Sequence, residues 1–290
     1  MPLIQLDSVT KIYGYGDATT IALNSASLSI DKNEFIAIMG PSGSGKSTLL
    51  NILGLLDKPT SGTYKINAKL IDRLTNGRLS KLRRDTIGFI FQSYNLLPKL
   101  NVLDNVALPL TYKGLSYPKR IKIAEQTLER VGMQNRGYFY PSQLSGGQIQ
   151  CTAIARALVN SPSIIIADEP TGNLDSKGSR LVMEILSDIH RHGNTIIFVT
   201  HNPELTRYAT RVIYMHDGQI IGDELTEIGQ IAKTAKRNLY YLTQKTVDDD
   251  LEGVSVLMKA IPLSSGSAFK VKPEVKHDKP KFKLKTRRHK

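Results

Sequence analysis

Cysteine is almost absent: Cys151 is the only one in 290 residues. That excludes an intrachain disulfide framework and points to a reducing compartment, the cytosol. Also missing is any run of the ~20 consecutive apolar residues that a membrane-crossing helix needs. The densest stretches, Ile164–Ala167 and Thr195–Val199, are far shorter. Asp7, Lys11 and Asp17 interrupt the region where a secretory leader would be apolar. Internal repeats are lacking too. The expectation is a cytoplasmic chain that reaches a membrane only through another chain.

Acidic residues are scarce, but not evenly so. The chain holds 39 Lys+Arg against 26 Asp+Glu, a formal +13. Residues 1–232 contain 24 basic and 20 acidic residues, whereas residues 233–290 contain 15 and 6. A near-neutral body therefore precedes a basic tail, which is not the pattern of a uniformly basic nucleic-acid-binding domain.

With 40% hydrophobic residues, the body can bury a sizeable core. Phe35–Met39, Thr86–Phe91, Ile164–Ala167 and Thr195–Val199 read as strands covered on both faces, as in a parallel sheet. Helical patterns lie between them at Lys46–Leu56, Arg120–Val131, Gln148–Val159 and Ser176–His192. That alternation predicts an α/β fold. Residues 1–30 and 60–75 alternate in polarity and read as antiparallel strands. Residues 95–140 read as a helical insertion without a good strand. Leu225–Leu242 keeps near-helical spacing, and from Pro262 the chain is Ser/Gly-rich, then Lys-rich, and reads as disordered.

Three motifs carry chemistry. The first, Gly40-Pro41-Ser42-Gly43-Ser44-Gly45-Lys46-Ser47, fits G-x-x-x-x-G-K-[ST] between a strand and a helix. Its glycines let backbone N–H groups turn around an anion, and the helix start adds its positive dipole end. Lys46 would reach the outer phosphates and the Ser47 hydroxyl would ligate Mg²⁺. The second, Asp168-Glu169, ends an apolar strand, where open α/β sheets place their ligands. Adjacent strand residues point to opposite sides, so the two acids should differ in role. Asp168 fits Mg²⁺, directly or at one remove, and Glu169 fits a base or water-positioning group. The bland reading is a solvated turn before Pro170. The third, Leu144-Ser145-Gly146-Gly147-Gln148, is a second helix start suited to a phosphate, or else a plain N-cap with turn glycines. The two phosphate-binding helix ends either face one site, or each serves a site shared with a second copy.

In order along the chain, these motifs resemble those of the ATP-binding cassettes that power ABC transporters. The resemblance covers Walker A at Gly40–Thr48, a Q-loop at Gln92, LSGGQ at Leu144–Gln148 and Walker B at Ile164–Asp168 with Glu169. It continues through a D-loop at Asn173–Asp175 and an H-loop at His201. The stretches GSGKSTLLNILGLLDKPTSG and ADEPTGNLD are similar to the macrolide-exporter and lipoprotein-release group. The resemblance implies a P-loop NTPase cassette over residues 1–223, with a mainly parallel core sheet, an antiparallel β subdomain and a helical subdomain at about 95–160. A partly helical extension at 224–261 and a disordered Lys-rich tail at 262–290 would follow.

The same resemblance implies ATP and Mg²⁺ as cofactors and ATP hydrolysis as the activity. Tyr13 would stack on adenine, Gly40–Thr48 would hold the phosphates, and Ser47, Gln92 and Asp168 would face the metal. Glu169, His201, Gln92 and Lys46 would act in hydrolysis. Ser145, Gly146, Gly147 and Gln148 would close on the nucleotide of a second copy, and Asp175 would link the two sites. A homodimer, or a pseudo-dimer with a related cassette, would drive a separate membrane permease in export or lipid and lipoprotein handling. Leu96–Pro98 and Asn101–Leu110 would contact that permease. Alternatives are a regulatory cassette that signals through a membrane partner without transport, as in cell division, and a cassette acting on ribosomes or DNA.

Two features depart from the family pattern. Cys151 stands where the family commonly has an arginine, either as a small packed residue or as a thiol activated by the helix start. Residues 270–290 hold ten Lys/Arg against Glu274 and Asp278. That charge suits contact with anionic lipid or a purely solubilising role. Having only Phe269 and Phe282 as nearby aromatics argues against nucleic-acid binding.

Overall fold

The computed structural model describes residues 1–15 and 18–235. The tail expected at 262–290, and the extension beyond residue 235, lie outside the described residues. In chain order the first elements are β1 (Ile4–Tyr13), β2 (Thr20–Ile30), β3 (Phe35–Met39), α1 (Lys46–Leu53), β4 (Ser61–Ile66) and β5 (Lys69–Leu70). Next come α2 (Asn76–Thr86), β6 (Ile87–Ile90), α3 (Val102–Thr111), α4 (Tyr117–Arg130) and α5 (Gly146–Leu158). The last are β7 (Ile164–Asp168), α6 (Ser176–Arg191), β8 (Thr195–Val199), β9 (Arg211–His216) and β10 (Gln219–Leu225). A further helical stretch occupies residues 227–235.

A six-stranded sheet runs in the order β10-β9-β3-β8-β7-β6, parallel except for β10. A separate antiparallel sheet has the order β2-β1-β4-β5. The apolar runs explain why the core strands lie inside. Along β3, Phe35 and Ala37 join one hydrophobic cluster while Ile36 and Ile38 join another. In β7, Ile165 and Ala167 part from Ile164 and Ile166 in the same way, and in β8, Ile196 and Phe198 part from Ile197 and Val199. This period of two puts apolar side chains on both faces of each strand. One face is covered by α1 and the antiparallel sheet, the other by α3, α4, α5 and α6.

Some boundaries differ from the sequence reading. Thr86 closes α2 rather than opening a strand, because residues 76–86 form a polar helix that buries only Leu79. α5 starts at Gly146, two residues before Gln148, because Ser145 rather than a later residue caps it. The hairpin β9–β10 was not anticipated. It braces other parts of the body: Arg211 chelates Asp223 with two 2.6 Å bonds and donates to Glu34 at 3.1 Å and to Ser29 O at 2.8 Å.

Candidate functional site

Four sequence motifs leave the C-terminal ends of four parallel strands. Residues 40–45 follow β3, His201 follows β8, Glu169 follows β7 and Gln92 follows β6, in the order of strands along the sheet. That edge of a parallel sheet is where ligands bind.

The loop after β3 is shaped by glycine. Gly45 has φ +92°, and a β-carbon there would stand 2.4 Å from Ala22 O, so only glycine fits. Leu49 N donates to Gly45 O at 2.9 Å. The amides of residues 45–48 therefore precede the helix's own ladder and point their N–H groups and dipole toward an anion. Pro41, Ser42, Gly43 and Ser47 are exposed, Gly40, Gly45 and Thr48 half-buried, and Ser44 buried. Lys46 is 8% exposed, and its ammonium donates to Gly40 O at 2.9 Å and Pro41 O at 2.6 Å. From the other side, Gly218 N in the β9–β10 turn donates to Ser44 O at 3.1 Å, and Gly218 O accepts from Asn24 N at 2.9 Å.

The carboxylate pair does not continue the strand. β7 ends at Asp168, and Glu169 adopts φ +43°, with its amide donating to Val199 O at 3.2 Å. The two acids thus part by a turn of the backbone rather than by strand alternation. Burial, then repulsion from Glu169, holds the Asp168 carboxyl above the usual carboxylate range, with Lys46 pulling the other way. Glu169 meets the exposed His201, whose Nδ1 lies 3.0 Å from both carboxylate oxygens.

Gln92 is exposed and belongs to the same neighbourhood. A β-carbon on Gly172 would stand 3.2 Å from Glu169 Oε2 and 3.4 Å from Gln92 Nε2. Gly172 thus leaves room for both side chains. Sequence reading missed it, although a glycine three residues past paired acids is a signal of close approach. Asn173 Nδ2 donates to Gln92 O at 3.1 Å.

Tyr13 lies at the end of β1, 41% exposed, with its hydroxyl donating to Asp57 Oδ2 at 2.8 Å and the Lys11 ammonium 4.8 Å from its ring centre. Burial and Asp57 raise the phenol pKa, while the Thr48 hydroxyl lowers it, which sets Tyr13 beside the phosphate-binding loop. Tyr15 is 96% exposed.

The LSGGQ segment forms a reciprocal cap. Gln148 N donates to Ser145 Oγ at 3.4 Å, and Ser145 N donates to Gln148 Oε1 at 3.1 Å. Ser145, Gly146, Gly147 and Gln148 line a cleft of about 1030 Å³ together with Asn173, Leu174 and Asp175. No residue of 40–48 lines that cleft. Asp175 caps α6, its Oδ1 accepting from Gly178 N at 2.8 Å. Cys151 is buried in the helix-side core, and burial pushes its thiol up to about 11, so it packs as a small apolar residue.

By fold and by the loops gathered on one sheet edge, the chain is a P-loop nucleoside triphosphatase. Residues 23–172 match the ABC transporter family, and the chain belongs to that family as an ATP-binding, ATP-hydrolysing cassette. It is 45% identical over 226 residues to the uncharacterized ABC transporter ATP-binding protein YvrO of Bacillus subtilis, covering 78% of this chain and 99% of that one. It is 46% identical over 235 residues to the macrolide export ATP-binding/permease protein MacB of Marinobacter nauticus. That match covers 80% of this chain but 36% of the relative. Among solved structures, it resembles the dimeric post-hydrolysis state of the ATP-binding cassette MJ0796 bound to ADP and Pi. The identity there is 44% and the TM-score 0.71, over 77% of this chain and 98% of that one.

Proposed function

We propose that residues 1–223 act as the motor of a transporter, in which two cassettes sandwich two MgATP and drive a membrane permease in export or lipid handling. The observation that carries this reading is the separation of the two anion-binding helix starts. The cleft at Ser145–Gln148 holds the chain's own Asn173–Asp175 and none of residues 40–48. That separation supports a nucleotide gripped by the loop after β3 meeting the LSGGQ segment of a second copy. The dimeric MJ0796 structures support that arrangement. The MacB relatives are named ATP-binding/permease proteins, and this chain spans about a third of their length, which supports a permease as partner. Among the described residues no helix is long and apolar enough to cross a membrane, so attachment at the cytoplasmic face would come through that partner. The charge of residues 262–290 suits added contact with anionic lipid.

Within the site, placement supports the following roles. The amides of residues 45–48 and the Lys46 ammonium carry the phosphate charge. Tyr13 offers a ring for the base. Ser47, Asp168 and Gln92 supply a hydroxyl, a carboxylate and a carboxamide oxygen, an all-oxygen set that suits Mg²⁺. The raised Asp168 carboxyl also fits a cation partner. The ion, when bound, neutralises phosphate charge. Glu169 accepts the proton of the attacking water, and His201 holds that carboxylate in place through Nδ1 at 3.0 Å; only as an imidazolium does it also offer Nε2–H toward the outer phosphate. The test is Glu169→Gln in the purified chain. Turnover of MgATP should fall at least ~10²-fold with ATP binding retained. Hydrolysis at the native rate would remove Glu169 from the mechanism.

A further inference from the structure

The segment after Gln92 turns through two consecutive non-glycine residues in the left-handed region, Tyr94 at φ +60° and Asn95 at φ +50°. A bulky L-residue is disfavoured there, and such a turn persists only when its surroundings over-determine it. The holder is a residue of α5 some sixty positions along the chain. Arg156 donates through Nη2 to Tyr94 O at 2.7 Å and through Nη1 to Asn95 O. Among the described residues no carboxylate pairs with Arg156, and burial lowers its pKa. Its planar fork therefore serves two successive carbonyls, a fit that a lysine ammonium does not reproduce.

One further approach sets the same turn beside the LSGGQ segment, and one hydrogen bond ties Gln92 to the loop before α6. A β-carbon on Gly146 would stand 3.4 Å from Tyr94 Oη and 3.3 Å from Leu174 Cδ2. Ahead of the turn, Asn173 Nδ2 holds Gln92 O at 3.1 Å. The segment carrying Gln92 thus abuts the start of α5 and is bonded to its far end and to the loop before α6.

We propose that Arg156 is a positioning residue for hydrolysis, locking the Tyr94–Asn95 turn to α5 so that displacement of the LSGGQ helix start is passed to Gln92. This rests on the role proposed above for Gln92 beside the Mg²⁺ of the hydrolytic site. The experiment is a double-mutant cycle on the full chain with Arg156→Leu and Gln92→Ala, reading kcat and KM for MgATP. Arg156→Leu alone should lower kcat about 10-fold through misplacement of Gln92, with KM changed less than about twofold. In the Gln92→Ala background, the same change should cost less than about twofold, because the route through Gln92 is already gone. Equal losses in both backgrounds would overturn the inference and leave the role of Gln92 standing. Native turnover of Gln92→Ala alone would instead overturn the role of Gln92 and the inference with it. If Arg156→Leu does not fold, Arg156→Lys enters the same cycle. Its kcat should also fall, and a native kcat would overturn the need for the fork.

Discussion

Replacing Asn105 with alanine should loosen the loop that leads into the helical region. Asn105 lies on α3 and is 0% exposed. Its Oδ1 accepts from Leu97 N at 2.7 Å, and its Nδ2 donates to Leu97 O and Leu100 O at 3.0 Å and to Asn101 O at 2.9 Å. Two N–H bonds are shared among three carbonyls, so the side chain contributes three hydrogen bonds in net terms. At about 0.5–1.5 kcal/mol each, their loss costs about 1.5–4.5 kcal/mol. Leu97 is 45% exposed, so water takes over part of the loop backbone and the lower half of that range applies. A domain of this size loses roughly 2–4 °C of Tm per kcal/mol, giving a drop of roughly 3–12 °C. Thermal unfolding of the full chain, followed by circular dichroism without nucleotide, reads this directly. Asn101→Ala is the internal control, since it removes one cap bond, from Asp104 N at 2.7 Å, at a cost of about 1 kcal/mol. A smaller shift for Asn105→Ala than for Asn101→Ala would refute the reasoning.

Two further outcomes follow from the ionisable groups. The Asp168 carboxyl is raised in the folded chain, first by burial and then by Glu169. A raised acid favours folding below its unfolded pKa and loses that advantage as pH rises through the folded one. Asp168→Asn should therefore unfold at a higher temperature than the native chain at pH 8, with the gap closing near pH 4, while its MgATP turnover collapses. An equal gap at both pH values would refute the assignment. Cys151, pushed up to about 11 by burial, holds little thiolate at pH 8. Labelling by a disulfide reagent should be at least about 10²-fold slower in the folded chain than in the urea-unfolded one. Equal rates would show that the thiol is not packed away.

The core of the fold was legible because β3, β7 and β8 are short, continuous apolar runs, which a two-sided sheet demands. What escaped was polar. The helix α2 buries only Leu79, and β10 is an edge strand without a buried residue. Neither has a hydrophobic period to read. The phosphate-binding loop and the LSGGQ cap were legible because bare backbone chemistry requires glycine at fixed offsets. The contacts of Arg156, Asn173 and Gly172 were not, since they join segments that meet only after folding. Only the alternation argument for the two acids did not hold, because strand alternation stops where the strand does, at Asp168.

The amide of Gly218 on Ser44 O gives the phosphate-binding loop a late partner. On a ribosome, Ser44 is made 174 residues before the Gly218 that supports it. A nascent chain halted between α6 and β9 carries the whole nucleotide motif yet lacks the backbone that backs it. The order of synthesis thus defers completion of the nucleotide cradle until nearly all of the catalytic body exists.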